Sequence, residues 1–259
     1  MSIWLRIANR MILDNTRDYV DPEDRVRVPI AAGEDEIEAW LWRSESEPKL
    51  FVLKFPGTGG RAERGGPHPA EVISPERHEV WTINPPGYGT GGGSACVTKM
   101  ASTCEAAWQT IREQAGNVPI ILTGNSLGCS YALYVAARYP VAGVFLRNPV
   151  PLHELITGRY SWWNFGLGSR KIRDQVPDEM DAIKNAKQAN APAFFVTSEK
   201  DRMIPPVYQQ MIFDAYAGPH AMYVIRDADH HTPIDEEEVD DYVDAIRSWA
   251  GEHQIPGGV

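Results

Sequence analysis

Five residues, Gly124-Asn125-Ser126-Leu127-Gly128, carry the most specific chemical signal in the chain. The apolar run Ile120-Ile121-Leu122 before them reads as a strand, and the Ala- and Tyr-rich stretch after them reads as a helix. The serine therefore sits on a strand-to-helix turn of the G-x-S-x-G type. Flanking glycines let strand and helix approach closely, and the strained turn holds the hydroxyl out over the strand ends. The same serine would also serve as an ordinary helix N-cap. What raises it to a nucleophile is company, because a hydroxyl needs a base and the base needs an orienting partner.

Both partners are available downstream. Asp201 lies in a polar turn after the apolar run 193–198, ahead of Pro205, which can start a helix. Glu199 shares that turn as the alternative acid. Arg226-Asp227-Ala228-Asp229-His230-His231 then leads into the final helix, and two adjacent histidines cannot both face one serine, so either is admitted as the base. A metal site built from Asp227, Asp229, His230 and His231 is the weaker reading, since neighbouring side chains diverge and no further ligand cluster accompanies them. Attack on a carbonyl creates an oxyanion that needs preset donors. The N–H of Leu127, directly after the serine, is one. The second is expected from Thr58 in Phe55-Pro56-Gly57-Thr58-Gly59-Gly60, the loop after the third strand.

The elements that must position these groups alternate along the chain. An antiparallel entry hairpin is predicted over 25–29 and 36–43, followed by parallel strands at 50–55, 79–84, 120–124, 144–148, 193–198 and 221–225. Most are apolar enough to be covered on both faces. Helices are predicted at 98–115, 127–138, 178–189, 205–217 and 235–250, which gives an α/β architecture with a doubly wound, mostly parallel central sheet. Asp235 to Glu238 open the last helix, where its dipole favours carboxylates. With no repeat or linker, 1–259 reads as a single domain with an N-terminal helical extension over 1–23 and a short, cap-like insertion over 150–190.

Composition excludes several classes. A net charge of −10 without a Lys/Arg-rich stretch would repel a phosphate backbone, so nucleic acid is not expected as a partner. Cys96, Cys104 and Cys129 cannot all pair within one chain and lack zinc spacing, which points to free thiols and a cytoplasmic location. The first 20 residues have scattered charges and no continuous apolar run, against both a signal peptide and an integral membrane span. Trp4, Ile7, Ala8, Met11 and Ile12 share one helical face, expected to rest on the protein's own body, with peripheral contact to a bilayer as the alternative. Gly87-Tyr88-Gly89-Thr90-Gly91-Gly92 matches a dinucleotide fingerprint, but two prolines precede it and no acidic strand end follows some 20 residues on, so no cofactor is expected.

Ser126, Asp201 and a downstream His in that order, with Pro56-Gly57-Thr58-Gly59 upstream and Asn84-Pro85-Pro86-Gly87-Tyr88-Gly89 after the next strand, resemble the α/β-hydrolase superfamily. The likeness spans about 50–250 and is nearest to its small lidless serine hydrolases, the alpha/beta hydrolase domain and serine-aminopeptidase-like branch. It implies His230 as the base, because Asp227-Ala228-Asp229-His230 resembles the family's Gly-Ala-Gly-His-like segment, with aspartates at both Gly positions. The chain also has Pro56-Gly57 where many members have His-Gly.

Together these imply hydrolysis of small carboxylic esters or thioesters, of short to medium acyl length, through an acyl-enzyme on Ser126. A serine peptidase or amidase is the alternative, with Glu63, Glu154 or Glu199 considered for holding a substrate amine. A non-catalytic binding protein on the same fold is the third reading. Four aromatics lie between Tyr160 and Phe165, and Trp162, Trp163 and Phe165 are expected to wall the acyl pocket or else to form a core patch.

Overall fold

The computed structural model describes residues 1–15, 22–159 and 167–256. Eight strands form one sheet in the order β1-β2-β4-β3-β5-β6-β7-β8. They are β1 (Val26–Ala32), β2 (Asp35–Arg43), β3 (Leu50–Phe55), β4 (His78–Asn84), β5 (Ile120–Asn125), β6 (Gly143–Arg147), β7 (Ala193–Ser198) and β8 (His220–Ile225). β1 and β2 pair antiparallel across a tight turn in which Gly33 takes φ +67°, and β2 runs antiparallel to β4; every other pairing is parallel. The predicted entry hairpin and parallel body are both present.

The helices are α1 (Ile3–Ile12), α2 (Ala70–Ile73), α3 (Met100–Ala115), α4 (Gly128–Ala136), α5 (Leu152–Arg159), α6 (Leu167–Arg173), α7 (Ala182–Ala186), α8 (Pro206–Ala215) and α9 (Val239–Glu252). They cover both faces of the sheet. Alternation along β3 shows why its run is apolar throughout: Phe51, Leu53 and Phe55 enter the core under α3 and α4, while Leu50 and Val52 enter the core under α2 and α9. Fully buried Leu53, Ile121, Leu122, Leu146 and Phe195 fix the central strands, and with them the edge where all the parallel strands end.

Two expected helices differ. The stretch 178–189 breaks into a 3₁₀ turn at Asp178–Met180 and α7, because the Asp181 carboxylate accepts the Lys184 N–H (3.0 Å) and caps a new helix. The last helix starts at Val239 rather than at 235, because Asp235 closes a turn of its own on Glu237 and Glu238 (3.2 and 3.0 Å). Between β6 and β7 the described chain holds only the short helices α5, α6 and α7, and no large cap is present among the described residues. Trp162, Trp163 and Phe165 lie outside the described residues. The N-terminal extension forms α1, which rests Ala8 and Ile12 in the core, while Trp4 and Ile7 of the expected face are half-buried and Met11 is exposed.

Asp181 also meets His153 of α5 (3.3 Å), tying this segment together. Burial alone would push the Asp181 carboxyl up, but His153 and the Lys184 N–H outweigh it and hold it at about 2. Burial would likewise lower His153, and the Asp181 carboxylate overrides it to raise the imidazole above 6.5. The aspartate contributes stability above its ordinary 3.8 and loses it as pH falls toward 2. The histidine contributes fully below 6.5 and loses its part as pH rises through its raised value. The melting-temperature gap between wild type and Asp181→Asn, which keeps a capping side chain, is therefore expected to be widest between pH 3.8 and 6.5 and to narrow on both sides. A gap independent of pH would contradict the pairing.

Candidate active site

The turn after β5 has the predicted strain. Ser126 takes φ +52°, its residue is only 7% exposed, and its N–H donates to the Arg147 carbonyl at the end of β6 (2.8 Å). Both glycines of the motif are sterically required. A Cβ on Gly124 would lie 2.6 Å from Cys129 Cα, and one on Gly128 would lie 2.0 Å from the Phe55 carbonyl oxygen. The α4 helix can start this close to β5 and β3 only because Gly124 and Gly128, respectively, have no side chain. Leu127 sits at the head of α4, where the first N–H groups have no intrahelical acceptor and carry the positive end of the dipole.

Asp201 lies at the end of β7's turn, buried, with all its lone pairs engaged. Oδ1 accepts the N–H groups of Met203 and Ile204 (both 2.8 Å), and Oδ2 accepts Gln209 Nε2 (3.0 Å) and faces His230 Nδ1 (2.6 Å). With Nδ1 committed to the carboxylate, Nε2 is the imidazole nitrogen left for a proton. His230 is buried, whereas His231 is exposed and meets its neighbour edge to face. The structure thus separates the two adjacent histidines, and it places Asp201 rather than Glu199 on the imidazole. Glu199 instead accepts the Asp227 N–H (2.9 Å) at the surface.

The loop carrying His230 is tied to the strand that also holds Ser126. Asn148, just past β6 and itself at φ +48°, donates Nδ2 to the His230 carbonyl (3.2 Å) and to Ser198 Oγ (3.2 Å), and accepts the Ser198 N–H (2.9 Å). The preceding residue, Arg147, accepts from Ser126 and donates to the Thr232 carbonyl (2.8 Å). One dipeptide therefore links the serine turn, the acid's strand and the histidine's loop. The two aspartates at the family's glycine positions have physical reasons of their own. Asp227 occupies φ +54°, a left-handed conformation that Asp tolerates better than most residues. Asp229 Oδ1 accepts the N–H groups of His230 and Arg202 (2.7 and 3.0 Å), bracing the loop. Both aspartates are thus engaged in shaping the loop.

On the other side of the serine, a Cβ on Gly57 would touch Ser126 Cβ at 3.2 Å, so the loop after β3 lies directly against the turn. Thr58 Oγ1 donates to the Ile12 carbonyl (3.0 Å), and Asn15 donates to the Gly87 carbonyl (3.4 Å), so the end of α1 straps this rim. Beneath it lies a buried polar network. Asn84 Nδ2 donates to Glu38 and Glu63 (both 2.8 Å) while its Oδ1 accepts the Ala62 N–H (2.8 Å). Burial would raise Glu38, yet Arg27 (2.6 Å), Asn84 and Thr90 hold it below the ordinary carboxylate value. Glu63 is also paired with Arg61, so its carboxylate is already engaged. The Gly87–Gly92 segment folds over Glu38. A narrow apolar cleft runs under the loop, walled by Phe55, Ile83, Tyr88, Thr103, Leu127 and Tyr131.

The family described as alpha/beta hydrolase fold matches residues 55–165, which include Gly57, Thr58, Ser126 and Leu127. Over that stretch the chain is similar to the α/β-hydrolase superfamily. An uncharacterized protein of Mycobacterium tuberculosis is 27% identical over 176 residues, covering 66% of this chain and 59% of its own length. The chain thus spans about three-fifths of the curated relative it matches. Alpha/beta hydrolase domain-containing protein 17C of Homo sapiens is 33% identical over 73 residues, which is 27% of this chain and 22% of that protein. Among solved structures, a Pyrococcus furiosus esterase superposes with a TM-score of 0.69 at 12% identity, covering 93% of this chain and 98% of that one. A Paleococcus ferrophilus monoacylglycerol lipase superposes at 0.63 with 18% identity, covering 83% and 99%. These likenesses establish the α/β-hydrolase fold.

Sequence reasoning missed Asn148, Gln209 and the Glu38–Asn84 network. Asn148 did carry a signal: an Asn at a strand end tolerates a left-handed turn better than most residues. Glu38 acts through Asn84 and Thr90, 46 and 52 residues away, and Gln209 through Asp201, 8 residues before it, and neither carried a sequence signal. Gly128→Ala is expected to cost about 1–3 kcal/mol or more by overpacking, read by chemical denaturation. Wild-type stability in that variant would contradict the tight approach of α4 to β3.

Proposed function

We propose that this α/β-hydrolase is a serine hydrolase that cleaves carboxylic esters or thioesters through an acyl-enzyme on Ser126. The observation that carries this reading is the buried His230 Nδ1 to Asp201 Oδ2 contact of 2.6 Å, in a loop tethered by Asn148 to the strand that holds Ser126. In the proposed cycle His230 Nε2 takes the Ser126 proton as Oγ bonds to the carbonyl carbon. The Leu127 and Thr58 N–H groups receive the oxyanion. Collapse expels the alcohol or thiol, which takes the proton from the imidazolium. Water then adds to the acyl-enzyme by the same base, releasing acid and free serine. Asp201 holds the tautomer and stabilises the imidazolium without taking its proton.

The cleft under the oxyanion loop, with about 20 Å³ of open space between apolar walls that include the Tyr88 and Tyr131 rings, favours the short end of the short-to-medium acyl range. Peptidase or amidase action fits less well. Glu63 is engaged by Arg61 and Asn84, and Glu199 by the Asp227 N–H, so neither is held ready for a substrate amine, which leaves Glu154 of α5, its carboxyl raised by burial, as the remaining candidate.

A fluorophosphonate probe is expected to label wild type at Ser126, and to leave Ser126→Ala and His230→Ala unlabelled, while His231→Ala labels normally. Label on a different residue, or loss of labelling in His231→Ala alone, would overturn the assignment. With p-nitrophenyl esters, kcat/KM is expected to peak at short or medium chains and to fall toward laurate. Rates that climb without a maximum would exclude the cleft as the acyl site. Asp201→Asn is expected to lower kcat by about 10⁴-fold.

A further inference from the structure

The α1 helix buries one face and leaves a second apolar face outside. Ala8 and Ile12 are in the core, and Trp4 and Leu5 are half-buried. On the outer side Ile3 is 68% exposed and Met11 42%, with half-buried Ile7 between them at i, i+4, i+8 spacing. Exposed Arg6 and Arg10 form the stripe alongside. The neighbouring α6 extends the face. Lys171 Nζ lies 5.1 Å from the Trp4 ring centroid, Ser2 meets Gln175 (3.3 Å), and Leu167, one turn from Lys171, is 60% exposed beside exposed Arg170.

A helix that merely rests on its own protein turns polar side chains outward. Here the outward side chains are Ile, Met and Arg. The first 13 residues hold two arginines and no acid, in a chain of net charge −10. Apolar side chains rimmed by cations are the pattern of a helix lying in a lipid interface. A second copy of the chain, docked by a two-fold axis, would bring Arg6 and Arg10 against the same cationic face. Charge complementarity favours an anionic surface instead.

We infer that α1, with the exposed edge of α6, docks the protein on an anionic lipid bilayer. Ile3, Met11 and Leu167 enter the boundary between headgroups and acyl chains, and Arg6, Arg10, Arg170 and Lys171 meet the headgroup phosphates. Because Ile12 at the end of α1 holds Thr58 and Asn15 just after it holds the Gly87 turn, docking holds the rim of the candidate active site beside the bilayer. The inference stands on this surface alone and not on the chemistry proposed for Ser126.

The test is co-sedimentation of the whole chain with vesicles of phosphatidylcholine alone or mixed with phosphatidylglycerol. Binding is expected to the anionic vesicles, weakening as salt is added. Arg6→Gln together with Arg10→Gln is expected to reduce it about 25-fold, at about fivefold per charge. Ile3→Ser is expected to weaken binding on both compositions. All three positions are solvent-facing, so thermal melts of the variants should match wild type. Failure to sediment with anionic vesicles, or undiminished binding by the arginine variant, would overturn the inference. So would a dimer in the ultracentrifuge that Ile3→Ser dissociates, since that assigns the face to a second copy.

Discussion

The close approach of α4 to β5 and β3 governs the rest of the site. Gly124 permits the first and Gly128 the second, and the Ser126 backbone takes φ +52° between them. A left-handed conformation at a non-glycine residue costs about 1–3 kcal/mol unless the surroundings over-determine it. Here they do: the serine N–H is anchored on Arg147, and the sheet fixes Arg147 through its pairing with β5 and β7. Strain at the serine is thus carried by the parallel core. The same geometry sets the Leu127 N–H at the helix head and brings Gly57 against the serine Cβ.

A second constraint concerns the histidine. The β8–α9 loop is long and exposed in part, and a loop cannot hold an imidazole by packing alone. Polar contacts do this: Asp201 on the ring, Asn148 on the His230 carbonyl, and Asp229 on the His230 N–H. Asp201 is in turn fixed by two backbone N–H groups and Gln209. The acid is therefore a rigid post rather than a mobile partner, which suits the tautomer-fixing role proposed for it. On the opposite rim Lys54 performs a comparable service. Its ammonium, pushed down to about 8 by burial, donates to the Gly66 and His68 carbonyls (2.8 and 3.0 Å) and pins the loop beyond Arg61.

How much of this could be read from residues alone depended on whether the contact is local. The serine turn was legible because strand, glycines and helix are contiguous, and the strands were legible because a sheet covered on both faces leaves continuous apolar runs. The choice between His230 and His231 needed a family likeness, since adjacent histidines look alike until burial separates them. The contacts of Asn148 stayed hidden because Ser198 and His230 lie 50 and 82 residues away; Gln209 is only 8 residues from Asp201, but a polar residue within a helix gives no sign of being turned inward. Helix starts at 178 and 235 were misplaced because Asp181 and Asp235 hydrogen-bond to the backbone locally and reset the first turn. The acyl-wall expectation at Trp162, Trp163 and Phe165 falls outside the described residues, and the apolar cleft that is described lies instead under the loop after β3.

The central claim is that Ser126 and His230 act as one proton-transferring unit, and a mutant cycle on kcat with an activated ester tests it most directly. If they do, Ser126→Ala, His230→Ala and the double variant should all fall to the same residual rate, about 10⁶-fold below wild type. If the two losses multiply, so that the double variant is slower than either single variant by the other's full factor, the residues act independently and the unit does not exist.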